Sequence, residues 1–196
     1  MHYPDWFLDL LPFWEKLPGI GPRSAERLLL DLLSWEKEEL LAFSDSLKAF
    51  GEKRHFCPTC GALAPSDSCP FCEGQRDRTV LCIIGGQKQL HQIERTGTFK
   101  GLYHVLDTLL TFEDDPVIDY HVDKLKNRLD QHPIEEIIFA LEGTLDGDAT
   151  CHLLRERLSP APYRLTRLAF GLPIGTSFTS VDGGTLSRSL LSRVPL

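Results

Sequence analysis

Four cysteines, Cys57, Cys60, Cys69 and Cys72, stand in the pattern C-P-T-C, eight intervening residues, C-P-F-C. Two C-x-x-C knuckles can place four thiolates tetrahedrally around one Zn2+. So short a segment cannot bury a core of its own, so metal binding would supply much of its folding free energy. Two disulfides, or four reduced thiols, are the alternatives, but paired knuckles match a metal site far better. Four thiolates leave no open coordination position, so one zinc per chain would be structural and not catalytic. His55 lies close to the first knuckle, but a fifth ligand is not needed there and it reads as a solvated flank residue.

A second constellation is Leu17-Pro18-Gly19-Ile20-Gly21-Pro22-Arg23-Ser24-Ala25-Glu26-Arg27-Leu28. Gly19 and Gly21 let backbone N–H groups come close to a phosphate. The helix begun at Pro22 would point its positive end at the same phosphate. Arg23 and Arg27 are four apart and share a helix face, so both can reach one strand. Contacts of this kind hold a nucleic-acid backbone and read no bases. An ordinary helical turn with two solvated arginines is the competing interpretation. A third constellation is acidic, Glu142 with Asp146 and Asp148. Its aspartates are spaced as a carboxylate pair that could hold Mg2+ through oxygen ligands or meet a basic partner surface.

The elements that must position these residues form four segments, 1–55, 56–78, 79–170 and 171–196. The first is helical. Trp6, Leu10, Phe13 and Trp14 recur at helical spacing, Pro18 and Gly19 stop that helix, and further helices follow from Pro22 and from about Glu36 to Lys53. Helix, Gly-rich turn and helix make a helix–hairpin–helix. The second segment is the zinc finger, followed by Arg76-Asp77-Arg78 as a charged linker. The third alternates strands (79–84, 101–106, 136–140, 163–168) with helices (87–95, 121–129, 148–158). That alternation implies a mostly parallel α/β sheet covered on both faces. Ligands of such sheets sit beyond the strand C-terminal ends, which here are Gly85-Gly86 and the stretch from Glu142 to Asp148. The fourth segment is too short to fold alone and reads as an arm that packs on a neighbouring domain or subunit.

Composition narrows the function. The chain has 196 residues and a formal charge of -7, which argues against a general polyanion binder and makes any nucleic-acid surface local. No apolar run is long enough to span a bilayer, so no membrane partner is expected. The N-terminus lacks the pattern of a signal peptide. Zinc-type cysteine spacing with two isolated cysteines, Cys82 and Cys151, fits a reducing cytoplasm; both lone thiols read as small core residues and not as nucleophiles.

The same parts in the same order support a resemblance. The hairpin Leu17 to Leu28, the knuckles Cys57 to Cys72, Arg76-Asp77, Ile93 to Gly97, Gly101 to Leu106, Glu135 to Ile138, Gly147 to Thr150, Gly171 to Gly175 and Thr185 to Leu190 together resemble the bacterial recombination mediator family RecR along essentially the whole chain. The resemblance implies a helix–hairpin–helix, a four-cysteine zinc finger, a Toprim domain and a C-terminal arm. It implies a ring-like homotetramer that binds single- and double-stranded DNA without regard to sequence. Its expected partners are RecO and, in many bacteria, RecF, with which it loads RecA at single-stranded gaps in the nucleoid. Departures bear on mechanism. The first Toprim strand typically ends in a glutamate that serves Toprim enzymes as a general acid/base; here that place is Gly85. Asp146 and Asp148 stand where the family usually has glutamates. The stretch Leu109 to Tyr120 lacks the family's usual Ser-Pro and Gly-Pro-Asp elements. Without the glutamate the aspartates have no acid/base partner, which favours a non-enzymatic clamp and adaptor over a metal-dependent Toprim-type enzyme acting on DNA. Glu94 and Glu142 are the carboxylates that could stand in for it, Glu142 the better placed. A zinc-bearing interaction module with no DNA role is a third possibility, against which Arg23 and Arg27 count.

Overall fold

The chain folds into two compact units, Met1–Arg54 and His55–Leu196, each making its contacts mainly within itself. The computed structural model describes residues 3–109, 116–160, 162–169, 171–172 and 175–193.

Among its described residues the first unit has four helices: α1 (Asp5–Leu8), α2 (Leu11–Glu15), α3 (Pro22–Leu32) and α4 (Lys37–Lys53). The single helix expected over Trp6 to Trp14 is two short ones, because the chain turns at Asp9 and Leu10 between them and Pro12 enters the first turn of α2. α4 begins in a reciprocal cap, Glu36 and Glu39 each accepting from the other's backbone. Few residues in this unit are buried, chiefly Phe7, Ala25 and Leu29. Phe7 stacks on Tyr3, ring centroids 4.4 Å apart.

The second unit begins with a hairpin of β1 (His55–Phe56) and β2 (Leu63–Ala64), then α5 (Pro70–Glu73). The sheet follows: β3 (Asp77–Ile84), α6 (Gln87–Thr96), β4 (Gly101–Val105), α7 (Pro116–Asp130), β5 (Glu136–Ala140), α8 (Leu145–Arg157) and β6 (Arg164–Arg167), with α9 (Gly183–Leu191) near the end. Its strands lie in the order β4-β3-β5-β6 and all pair in parallel, Leu81 opposite both Leu102 and Ile137, Ile137 opposite Leu165. Strand side chains alternate between faces. Leu81 and Ile83 enter a core with Ile118, Val122, Leu125, Leu153 and Leu154 of α7 and α8. Cys82 and Ile84 enter a second core with Leu90 and Tyr103, and with Cys57, Cys60 and Cys69. The cysteine segment therefore covers one face of the sheet. It also covers the edge strand: the amide of Val105 donates to the carbonyl of Cys60 at 2.8 Å, and all five residues of β4 are buried.

The connection from β3 leads to β4 through α6 on one face and that from β5 leads to β6 through α8 on the other, so the strand order reverses between β3 and β5. The crevice beyond their C-terminal ends is where such sheets place ligands. Residues 110–115, within the divergent stretch between β4 and α7, and Pro173 and Ile174 of the expected arm motif lie outside the described residues.

Candidate metal centre, nucleic-acid interface and acidic crevice

The knuckles converge because each closes on itself. Gly61 donates to the carbonyl of Cys57 and Cys57 to that of Ala62, both at 2.8 Å. Gly61 has φ +75°, and a Cβ there would stand 2.8 Å from the carbonyl oxygen of Val105, so the turn needs glycine on both counts. Gln87 of α6 fastens the hairpin, donating to the carbonyl of Gly61 at 2.7 Å and accepting from the amide of Leu63 at 2.9 Å. The four sulfur atoms lie within 4.8 Å of one another. Cys57 and Cys72 are 3.9 Å apart, Cys60 and Cys69 3.5 Å. A regular tetrahedron of sulfurs about 2.3 Å from zinc has edges of about 3.8 Å, so the cage fits that ion. The cysteines are free thiols and form no disulfide. His55 stands apart from the cluster, its Nε2 3.5 Å from Asp67.

The thiols are electrostatically unequal. Cys72 is pulled down to about 5, first by a hydrogen bond from Cys60 and further by the charge and hydrogen bond of Arg128. Cys60 is pushed up by that same donation and by burial, and burial pushes Cys69 up to about 11. A cation is what allows all four to ionise together, releasing protons as it binds.

The hairpin loop of the first unit has the expected form. Gly19 turns at φ +85°, Gly21 is the extended residue before α3, and Pro22 opens the helix. Among the described residues no side chain caps α3; its first backbone bond runs from Ala25 to Gly21, leaving the amides of Arg23 and Ser24 as the donors that a helix start does not pair internally. Nothing lies within 4 Å of a Cβ built at Gly19 or Gly21. The approach to those amides is open, and Arg23 and Arg27 are exposed beside it.

At the crevice, Gly85, directly after β3, has no side chain to offer, and a Cβ there would face Gln89, Leu109 and Leu141. Thr144 caps α8 by accepting from the amide of Gly147 at 3.1 Å. α8 starts at Leu145, earlier than the expected Asp148, so Asp146 and Asp148 occupy its first turn and not a loop; there they complement the helix dipole. Asp148 is engaged: its two carboxylate oxygens lie 2.6 Å from Arg167 of β6 and 3.0 Å from Arg188 of α9. Arg167 chiefly, with Arg188, holds that carboxyl below its usual range. To ligate a cation, Asp148 would have to leave both arginines. Glu142 and Asp146 are exposed, and Glu142 accepts from Gln89 at 3.0 Å. Among the described residues the grouping that could hold a metal is the four cysteines.

Two roles expected from sequence change. Arg76 is no charged linker. Its guanidinium grips Glu94 of α6 through two bonds of 2.8 and 2.9 Å, donates to the carbonyl of Gly101, and lies 5.4 Å from the rings of Phe71 and Tyr103. Tyr103 donates to Glu94 at 2.7 Å. Glu94, its carboxyl lowered first by Arg76, is therefore a structural anchor and no replacement for the missing acid/base group. Arg128 escaped sequence reading altogether. The available signal was its place one residue before Leu129 and three after Leu125, on the apolar stripe of α7.

Two family models match the chain. One, described as RecR, helix-hairpin-helix, matches residues 14–50, and one, described as Toprim domain, matches residues 79–169. The chain is 41% identical over 202 aligned positions to recombination protein RecR of Chlamydia felis, an alignment covering 100% of this chain and 99% of that protein. It is 40% identical over 202 positions to the protein of the same name from Chlamydia abortus, with the same coverage. To that of Protochlamydia amoebophila it is 39% identical over 195 positions, covering 98% of each.

Proposed function

From the chain's membership of the RecR family of recombination proteins, we propose that it is a non-enzymatic DNA-binding clamp and adaptor in recombinational DNA repair. It acts with RecO, and with RecF as a further partner, to help load RecA on single-stranded gaps, in the bacterial cytoplasm and with the nucleoid. The observation that carries this reading is the uncapped start of α3: an open Gly19–Gly21 approach, unpaired amides and two exposed arginines. It offers a phosphate two kinds of positive partner and a base none, so binding to single- and double-stranded DNA is independent of sequence.

Structural zinc, one per chain, is held by Cys57, Cys60, Cys69 and Cys72. The crevice supports an adaptor over an enzyme, because Gly85 lacks an acid/base group and Asp148 and Glu94 are committed to arginines. Glu142 and Asp146 present exposed carboxylates for a basic partner surface, with Asp148 holding the arm beside them. Self-association is supported by the first unit. Trp6 and Phe13 are 60% and 64% exposed, and α4 buries none of its side chains. An apolar groove of about 820 Å3 runs among Trp6, Phe13, Trp14, Leu33, Phe43 and Leu47. Phe7 also borders this groove and is itself buried, 2% exposed. Closed symmetry is the usual outcome of such association, here a ring-like homotetramer around DNA.

The test is the salt dependence of DNA binding. Each phosphate contact adds about 0.9 to the slope of log affinity against log salt on duplex DNA. Arg23→Ala with Arg27→Ala should flatten that slope by roughly one to two units, equally for unrelated sequences. An unchanged slope removes the hairpin from the DNA site. Metal-dependent nicking or ligation abolished by Asp146→Asn with Asp148→Asn would replace the adaptor by an enzyme.

A further inference from the structure

Arg128 of α7 is 2% exposed, and a buried guanidinium needs a counter-anion. Among the described residues no carboxylate lies within ion-pair distance of it. Its polar contact is with sulfur: Nη1 donates to Sγ of Cys72 at 3.6 Å. Among the described residues its Nε and Nη2 are buried without a partner, as are both ring nitrogens of the fully buried His104 nearby. A tetrathiolate zinc complex carries a net charge of two minus, one that its own ligands cannot offset and that the apolar packing of Ala62, Ala64 and Tyr103 around the cysteines does not solvate.

We propose that Arg128 is the outer-shell positioning residue of the metal site, a cation lent by the sheet's helix α7 to offset the charge of the zinc–thiolate complex and orient Cys72. The inference rests on the structural-zinc reading and adds to it. The four cysteines are not a self-sufficient module: a fifth residue, 56 positions from Cys72, tunes their affinity for metal. The site and the sheet domain are then coupled in both directions. Metal loss strands a buried cation in the core, and displacement of α7 weakens the metal.

Outer-shell partners of metal ligands typically change affinity by about 10–100-fold when removed. The full-length protein is loaded with zinc and competed against a chromogenic chelator, as wild type, Arg128→Met and Arg128→Lys. Arg128→Met keeps the volume and discards the charge, and should weaken zinc by about 10–100-fold. Arg128→Lys, which keeps a charge there, should recover most of that loss. The Co2+-substituted proteins give a readout that packing does not move. Losing a hydrogen bond raises the energy of the Cys72 sulfur lone pair, so the thiolate-to-cobalt charge-transfer band should shift to lower energy in Arg128→Met. A folded Arg128→Met protein with wild-type zinc affinity and an unmoved band overturns the proposal. If that variant does not fold, Arg128→Gln is read by the same two criteria. A wild-type protein holding no zinc would instead refute the metal reading on which the proposal stands, so the two failures are distinct.

Discussion

Gly147 and Gly51 are both helical glycines, and the structure assigns opposite signs to the same substitution at the two sites. Gly147 sits in the first turn of α8, where a Cβ would stand 2.1 Å from the carbonyl oxygen of Glu142. Real Cβ atoms essentially never approach closer than 3.0 Å, and the atom in the way is backbone. Alanine at 147 therefore requires the start of α8 to move about 1 Å from the end of β5. Overpacking of that kind costs about 1–3 kcal/mol, and a backbone obstacle puts this site at the upper end. The gain in helix propensity, about 1 kcal/mol, offsets part of it and leaves about 2 kcal/mol of destabilisation. In a unit of this size each kcal/mol moves Tm by about 2–4 °C, so Gly147→Ala should lower the transition of the larger unit by about 4–8 °C. Gly51, in α4, has nothing within 4 Å of its Cβ position, so Gly51→Ala should stabilise the first unit by about 0.5–1 kcal/mol. Differential scanning calorimetry and urea unfolding of both variants measure the pair. A Gly147→Ala protein as stable as wild type would show that α8 is free to move off β5. The close approach of Gly147 to the Glu142 carbonyl would then not be what fixes the start of α8.

Further expectations follow from the same contacts. Cys60→Ser, or chelation of the metal, should destabilise the sheet as well as the hairpin, because three of the cysteines are core residues shared with β3 and β4; a calorimetric trace in which only a small local transition disappears would contradict this. Glu94→Gln leaves Arg76, only 13% exposed at its side chain, without its carboxylate and should cost about 1–3 kcal/mol, read from urea midpoints; a loss within error would show that the aromatic faces of Phe71 and Tyr103 suffice. Glu94 and Asp148 have carboxyls lowered by arginines, so their contribution is present above the ordinary carboxylate pKa and is lost as pH falls through their depressed values. Stability should therefore drop on acidification below about pH 4, less steeply in a Glu94→Gln, Asp148→Asn double variant; an identical acid limb in both proteins speaks against the two pairs. Sedimentation at micromolar concentration should find an oligomer, and Trp6→Ser with Phe13→Ser should shift it toward monomer.

The family, the multi-module α/β fold and the four-cysteine cluster were legible in the sequence because their signals are local. A C-x-x-C knuckle closes within four residues, and two of them leave few arrangements other than a tetrahedral cage. The Gly-Ile-Gly-Pro turn likewise determines its own shape, since left-handed Gly19, extended Gly21 and N1 Pro22 fall within four residues. Strand–helix alternation at periods of two and 3.6 is enough to specify a parallel α/β sheet. What only the tertiary structure decided is which charges are free. Arg76 resembled a linker residue and Asp148 a metal ligand. Their partners lie 18 and 40 positions away, while Arg128 and Cys72 are 56 apart. A side chain's ionic partner is set by whatever the fold brings within about 4 Å in a low-dielectric setting, and sequence spacing carries no record of that distance once the chain has crossed from one strand to another.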